Sequence, residues 1–248
     1  MVSLDRKIAA AFRETGKSDS QATSTLFGQL FQQVNSVEPS KLRNNKQPLR
    51  VEFRGEYGDD VGGLFRETFS VISQEMESAV LPLFVLSPNG RNDQGKNRDV
   101  FLPDPKSITS TCISMYEFLG KLMGMAIRSK TPLTLNIADL FWKRLVGMDI
   151  TVDDIISVDQ EFANRVDAIL GCDTDGMWHD LCKQMNLTYT VTSVDGRVVE
   201  LFPGGRDVYV SWAERMHYID MVEDYRLKEM NPQIDAICML WLSVYITL

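Results

Sequence analysis

Residues 53–69 read Phe53-Arg-Gly-Glu-Tyr-Gly-Asp-Asp-Val-Gly-Gly-Leu-Phe-Arg-Glu-Thr-Phe69. Just before this stretch and into it, Leu49, Val51 and Phe53 alternate with Arg50, Glu52 and Arg54, the period of a half-buried strand. Gly55, Gly58, Gly62 and Gly63 follow and give the backbone freedom to turn sharply. Leu64, Phe65, Phe69, Ile72 and Met76 then recur at helical spacing. The stretch is a strand, a glycine loop and a helix. A phosphate cradle is a poor reading of the loop, because Glu56, Asp59 and Asp60 repel an anion and no Gly-Lys-Ser/Thr follows. Glycines that permit close strand-to-helix packing fit better.

On the N-terminal side, Leu4, Ile8, Ala11 and Phe12 predict a helix over Ser3–Phe12. Leu26, Phe27, Leu30, Phe31 and Val34 predict a second one, ended by Glu38-Pro39-Ser40. Lys41–Arg50 reads as a solvated connector. On the C-terminal side, Leu81–Leu86 is apolar enough for a strand and Ser87-Pro-Asn-Gly90 signals a turn. Arg91–Arg98 is a surface loop, after which Val100–Leu102 can pair back. The most hydrophobic helix spans Ile113–Arg128, and Gly120 and Gly124 on it allow a neighbouring helix to approach closely. Leu140–Val146 is a further helix.

Beyond Gly147 short acidic helices alternate with a hairpin. Ser157-x-x-Gln160 fits a capping box opening a helix with Phe162, Val166, Ile169 and Leu170 on one stripe. Leu187–Thr192 and Arg197–Phe202 flank Asp195-Gly196, a tight-turn pair. Ser211-x-x-Glu214 predicts a second capping box and a long helix stopped by Asn231-Pro232. A last apolar helix starts near Ile234. The expected fold is α+β and mainly helical. A large helical subdomain covers 1–148 and 209–248, and a small inserted α/β-hairpin subdomain covers 149–208.

Of the 248 residues 44% are hydrophobic and 24% charged, which excludes a disordered or collagenous chain. No apolar run approaches the ~20 residues of a membrane helix, and Met1–Phe12 carries too many charges for a secretion signal. Four cysteines at irregular spacing are too few for a disulfide scaffold, so a reducing interior is expected. The net charge of −8 and the lack of a clustered basic face argue against nucleic-acid binding.

Candidate chemistry is sparse. Cys172, His179 and Cys182 are close in sequence, but a fourth zinc ligand at a recognised spacing is not apparent. Asp173-Thr-Asp-Gly176 is half of a calcium loop without its later ligands and reads as a turn. Cys112 and Cys238 sit in apolar helical settings and read as core. No metal or cofactor is expected. The stripe Phe162, Val166, Ile169 and Leu170 must pack inward in part. A subdomain as small as 149–208 has a thin core, however, and Met177, Trp178, Met185, Leu187, Tyr189 and Val191 compete for the same shelter. An exposed apolar groove rimmed by acidic residues, the mark of a partner site, is therefore expected.

With these residues in place, the chain resembles the HECT family of ubiquitin ligases. The stretch 53–69 is similar to the family's strand–glycine-loop–helix signature, and Tyr116–Arg128 to its central buried helix. Thr131-Pro-Leu-Thr-Leu-Asn136, Phe141-Trp-Lys-Arg-Leu-Val-Gly147, Asp153-Asp154 with Asp159, Leu201-Phe-Pro-Gly-Gly205 and Tyr218 follow in the family's order. Ser87-Pro-Asn-Gly-Arg91 with Asn97-Arg-Asp99 looks most like the HERC branch. The resemblance implies a lobe that recruits a ubiquitin-charged conjugating enzyme, while a second lobe carries the cysteine that accepts ubiquitin. None of the four cysteines sits in the family's Thr-Cys context near the chain end, so this chain is expected to be the N-lobe without its nucleophile and inactive in transfer alone. The family's docking groove maps onto Phe162, Val166, Ile169, Cys172, Met185, Leu187, Tyr218 and Val222. Cys172 and Val222 stand where the family has aromatic residues. The implied partners are a ubiquitin-conjugating enzyme, ubiquitin, and protein substrates bound through other regions, in the cytoplasm or nucleus. The alternative is a non-catalytic helical adaptor with a HECT-like fold.

Overall fold

A computed structural model describes residues 1–56 and 62–245. In chain order its elements are β1 (Val2–Leu4), α1 (Arg6–Glu14), α2 (Leu26–Val34), β2 (Val51–Phe53), α3 (Gly63–Met76), β3 (Phe84–Leu86), α4 (Pro88–Arg91), β4 (Phe101–Pro103) and α5 (Ser110–Ser129). There follow α6 (Asp139–Leu145), α7 (Val152–Ile156), α8 (Gln160–Leu170), α9 (Asp175–Met185), β5 (Thr190–Thr192), β6 (Val198–Glu200), α10 (Arg215–Lys228) and α11 (Asn231–Tyr245). Each strand is three residues long, so the fold is α+β and mainly helical. Residues 57–61 of the glycine loop lie outside the described residues.

Two compact units divide the chain. One comprises Met1–Val85, Lys106–Asn136 and Pro232–Leu248, the other Leu86–Pro105 and Ile137–Asn231. These boundaries differ from the expected 149–208 insertion: residues 86–105, 137–148 and 209–231 pack with it. The reason is local. Asn89 donates through Nδ2 to Ser157 O at 3.3 Å, and Arg226 donates to Asp159 at 2.8 Å.

In the first unit the expected Ser3–Phe12 helix is corrected. Val2, Ser3 and Leu4 pair in parallel with Val51, Glu52 and Phe53. Leu4 is fully buried as a strand residue, and α1 begins only after Asp5, whose carboxylate accepts from Lys7 N at 2.9 Å and Ile8 N at 3.1 Å. Ile8 then points outward, 47% exposed. Helix α2 buries Leu26, Phe27, Leu30, Phe31 and Val34 as its period requires. The Phe27 and Phe31 rings meet Phe118 edge-on at 5.5 and 5.6 Å. Helices α5 and α11 touch at the expected glycines: a Cβ on Gly120 would stand 2.3 Å from Ile237 O.

The second unit holds its own apolar cluster, built from α7, α8, α9, the hairpin and α10. Helix α8 starts two residues later than a Ser157 cap implies. Asp159 is the cap and accepts from Phe162 N at 2.9 Å, whereas Ser157 closes α7. The true capping box is Thr151 with Asp154. Strands β5 and β6 pair antiparallel, Val191 opposite Val199. Their connection is longer than a two-residue turn: Ser193 N donates to Arg197 O and Gly196 N to Ser193 O, with Gly196 at φ +87°. Ser211 bonds Glu214 side chain to side chain at 2.7 Å ahead of α10. Asn231-Pro232 opens α11 instead of stopping α10, which ends at Lys228; Pro is tolerated in a first turn.

Candidate functional site

The site region is organised by a buried ion-pair network in the second unit. Arg226 on α10 is 2% exposed. It donates from Nη1 to Asp159 at 2.8 Å and from Nε to Glu229 at 2.7 Å. Nη1 also reaches Thr192 O at 3.3 Å. Glu229 in turn accepts from Ser193 Oγ at 2.6 Å and Val194 N at 3.2 Å. Burial pushes the Glu229 carboxyl up, against the pull of Arg226. One guanidinium thus ties the start of α8, the hairpin and the end of α10 together, and fixes where α8 presents its side chains.

Around this frame lie the eight residues of the expected groove. Phe162, Ile169, Cys172, Leu187, Tyr218 and Val222 are all buried and belong to the unit's core cluster. Val166 and Met185 are half-buried and pack against it. The expectation of an exposed stripe is therefore corrected: of Phe162, Val166, Ile169 and Leu170, only Leu170 is exposed, at 50%. The cover comes both from within 149–208 and from beyond it. Helix α9 brings in Trp178, which donates from Nε1 to Val210 O at 3.2 Å. Helix α10 brings Tyr218, whose hydroxyl donates to Thr190 O at 2.9 Å. Burial pushes the Tyr218 hydroxyl up, so it remains a donor.

Part of this set still reaches the surface. Phe162, Tyr218 and Val222 line a cleft together with Arg91, Arg165 and Thr192. A second, more open groove runs beside α9, lined by Trp178, His179, Cys182, Lys183 and Tyr209, and Tyr209 is 65% exposed. Arg91, Arg165 and Tyr209 were not among the expected site residues. Arg165 follows the apolar stripe on the same turn as Val166, Arg91 ends the block that resembles the HERC branch, and nothing local in the sequence marks Tyr209.

The four thiols differ in burial. Cys112 and Cys172 are buried, and Cys182 and Cys238 are half-buried. Burial pushes the Cys182 thiol up, away from the thiolate that reacts. Among the described residues no group of three or more His, Cys, Asp and Glu side chains gathers to hold a metal, so Cys172, His179 and Cys182 do not form a zinc site there. Nor is any described helix long and apolar enough to cross a membrane.

Residues 70–242 match the HECT-domain (ubiquitin-transferase) family. The chain belongs to the HECT family. The HECT relatives include E3 ubiquitin-protein ligase HERC2 of Mus musculus, 31% identical over 238 residues, which is 96% of this chain and 5% of that protein. E3 ubiquitin-protein ligase TOM1 of Saccharomyces cerevisiae is 27% identical over 79% of this chain and 6% of its own length. For E3 ubiquitin-protein ligase HACE1 of Gallus gallus the figures are 27%, 86% and 21%. The chain thus spans a small fraction of the HECT ligases it matches. The likeness to HERC2 agrees with the HERC-branch resemblance of its sequence, and a mainly helical α+β fold agrees with a HECT N-lobe.

Proposed function

We propose that this chain receives a ubiquitin-charged conjugating enzyme and positions it for transfer to a cysteine outside these 248 residues. The match of residues 70–242 to the HECT family carries the reading. The cleft supports it, because Phe162, Tyr218 and Val222 from the expected groove open onto it. The docking face is this cleft with, farther along α8, the half-buried Val166 and the exposed Leu170, and the buried remainder of the eight residues acts as its backing. An apolar anchor on the visiting enzyme fits such a face, and a modest area suits a carrier that must leave again. The burial of Cys112 and Cys172 and the raised Cys182 thiol support an acceptor cysteine elsewhere. Substrates bind through other parts of the ligase.

Two assays test the reading. Incubation with charged conjugating enzyme should leave no reductant-sensitive ubiquitin adduct on this chain; such an adduct overturns the absent-nucleophile half. Titration with conjugating enzymes should give saturable binding. A second reading, a HECT-like adaptor that no longer docks the enzyme, is favoured by one observation: six of the eight groove residues are core. Failure of every conjugating enzyme in a panel to bind selects it.

A further inference from the structure

We propose that the loop 86–98 is a docking element that holds Arg91 at the cleft to receive a carboxylate from the visiting conjugating enzyme. The inference rests on the docking reading above and adds the partner's chemistry: an acidic side chain next to an apolar one.

The loop is polar in sequence and exposed from Arg91 to Asp99, yet it is fixed from within. Ser87, fully buried, accepts from Gly90 N at 3.0 Å and donates to Asn97 O at 2.8 Å. Asn89, 2% exposed, donates to Lys96 O at 2.8 Å and accepts from Gln160 N at 2.6 Å. The loop closes so tightly that a Cβ on Gly90 would stand 2.0 Å from Arg98 O. Ordering a surface segment costs conformational entropy, and two buried polar side chains offset that cost here. The result is a rigid presentation of α4 and its last residue, Arg91, beside α8.

The charges at the cleft are unbalanced. Asp159 is taken by Phe162 N and Arg226. Glu161 accepts from Asn92 at 3.0 Å and lies 3.5 Å from Arg165. Arg91 has neither an ion pair nor a side-chain hydrogen bond among the described residues; its guanidinium rests near the hairpin tip, with Nη2 3.7 Å from the position of a Cβ on Gly196. The rim therefore offers two arginines against one shared carboxylate, on a chain of net charge −8. Arginine pairs with carboxylate in a two-pronged geometry, and opposite charge at a docking rim sets specificity and encounter rate. Below the rim, Phe162, Tyr218 and Val222 suit an apolar neighbour of that carboxylate.

The experiment is a titration of a conjugating enzyme into the 248-residue chain and its variants at two salt concentrations. Arg91→Glu should weaken binding at least ~10-fold and remove most of its salt dependence. Lys183→Glu, on the separate α9 groove, should not. Changing the facing acidic residue of the conjugating enzyme to lysine should restore binding to the Arg91→Glu chain. Arg91→Glu binding as tightly as the parent, while Leu170→Asp binds weakly, overturns the acidic contact and leaves docking intact. A parent chain that binds no conjugating enzyme overturns both.

Discussion

The Oε2 atom of Glu75, on α3, accepts a hydrogen bond from Phe27 N at 2.8 Å, while its Oε1 accepts from Leu26 N at 3.0 Å. A carboxylate 48 residues away in sequence thus caps the start of α2, where the first N–H groups lack intrahelical partners. Negative charge is also favourable at that end of a helix. Glu75→Ala leaves two buried donors unpaired and should cost about 2–3 kcal/mol, read from urea unfolding. The exposed Glu67→Ala should change stability far less.

The glycines of α5 make a graded prediction. A Cβ on Gly120 meets the Ile237 carbonyl, which is backbone, whereas one on Gly124 meets the Val244 side chain first, at 2.6 Å. Backbone yields less readily than a side chain. Gly120→Ala should therefore destabilise by about 1–3 kcal/mol and by more than Gly124→Ala. Equal melting temperatures for the two variants would contradict the close approach of α11.

Removal of one partner from the buried Arg226 network should be severe. Asp159→Ala takes one of two carboxylates from a buried guanidinium and deletes the α8 cap, a loss of about 3–5 kcal/mol. Asp159→Asn keeps a cap oxygen and should fall between. Denaturation curves for the pair give the order directly, and a near-neutral Asp159→Ala would mean the network does not hold α8.

Acid stability should be biphasic. Burial pushes Asp19 up, but N–H bonds from Thr23, Thr25 and Ser24 outweigh it and hold its carboxyl below the ordinary range. Such a group stabilises fully above its unfolded value, and that contribution is lost as pH falls through the folded value. Burial pushes Glu75 up in spite of the bonds from Phe27 and Leu26. Between its ordinary and raised values the folded chain holds more protons, so stability grows as pH falls. Unfolding free energy across a pH series should rise on mild acidification and drop below the ordinary carboxylate range. Asp19→Asn should flatten the drop, and a drop of unchanged size would refute the assignment.

Burial decides how docking is best probed. Phe162 is 6% exposed, so Phe162→Ala should cost about 3–5 kcal/mol of stability and confound any binding loss. Leu170→Asp alters a half-exposed side chain. It should leave the melting temperature nearly unchanged and weaken conjugating-enzyme binding, by titration, by ~1–3 kcal/mol if Leu170 is an anchor.

Legibility followed the range of the forces. Helices α2, α3 and α5 could be read in outline because their apolar residues repeat with the helical period and one face is buried. The Gly120 and Gly124 contact was readable because a missing side chain leaves an obvious gap. Leu4 misled because its spacing to Ile8 suits a helix, whereas its partner Phe53 is distant in sequence. The Ser157 cap misled because Asp159, two residues on, competes for the same helix end and is held by Arg226.

By itself the sequence determined the helical periods, the hairpin, the acidic balance and the ordered blocks that mark the HECT family, since each is written in neighbouring residues. Tertiary structure alone decided that Phe162 and Ile169 are core, that Arg91 stands at the cleft, and that Glu75 caps α2. Burial and charge pairing depend on which distant side chains arrive, and chain order does not encode those arrivals locally.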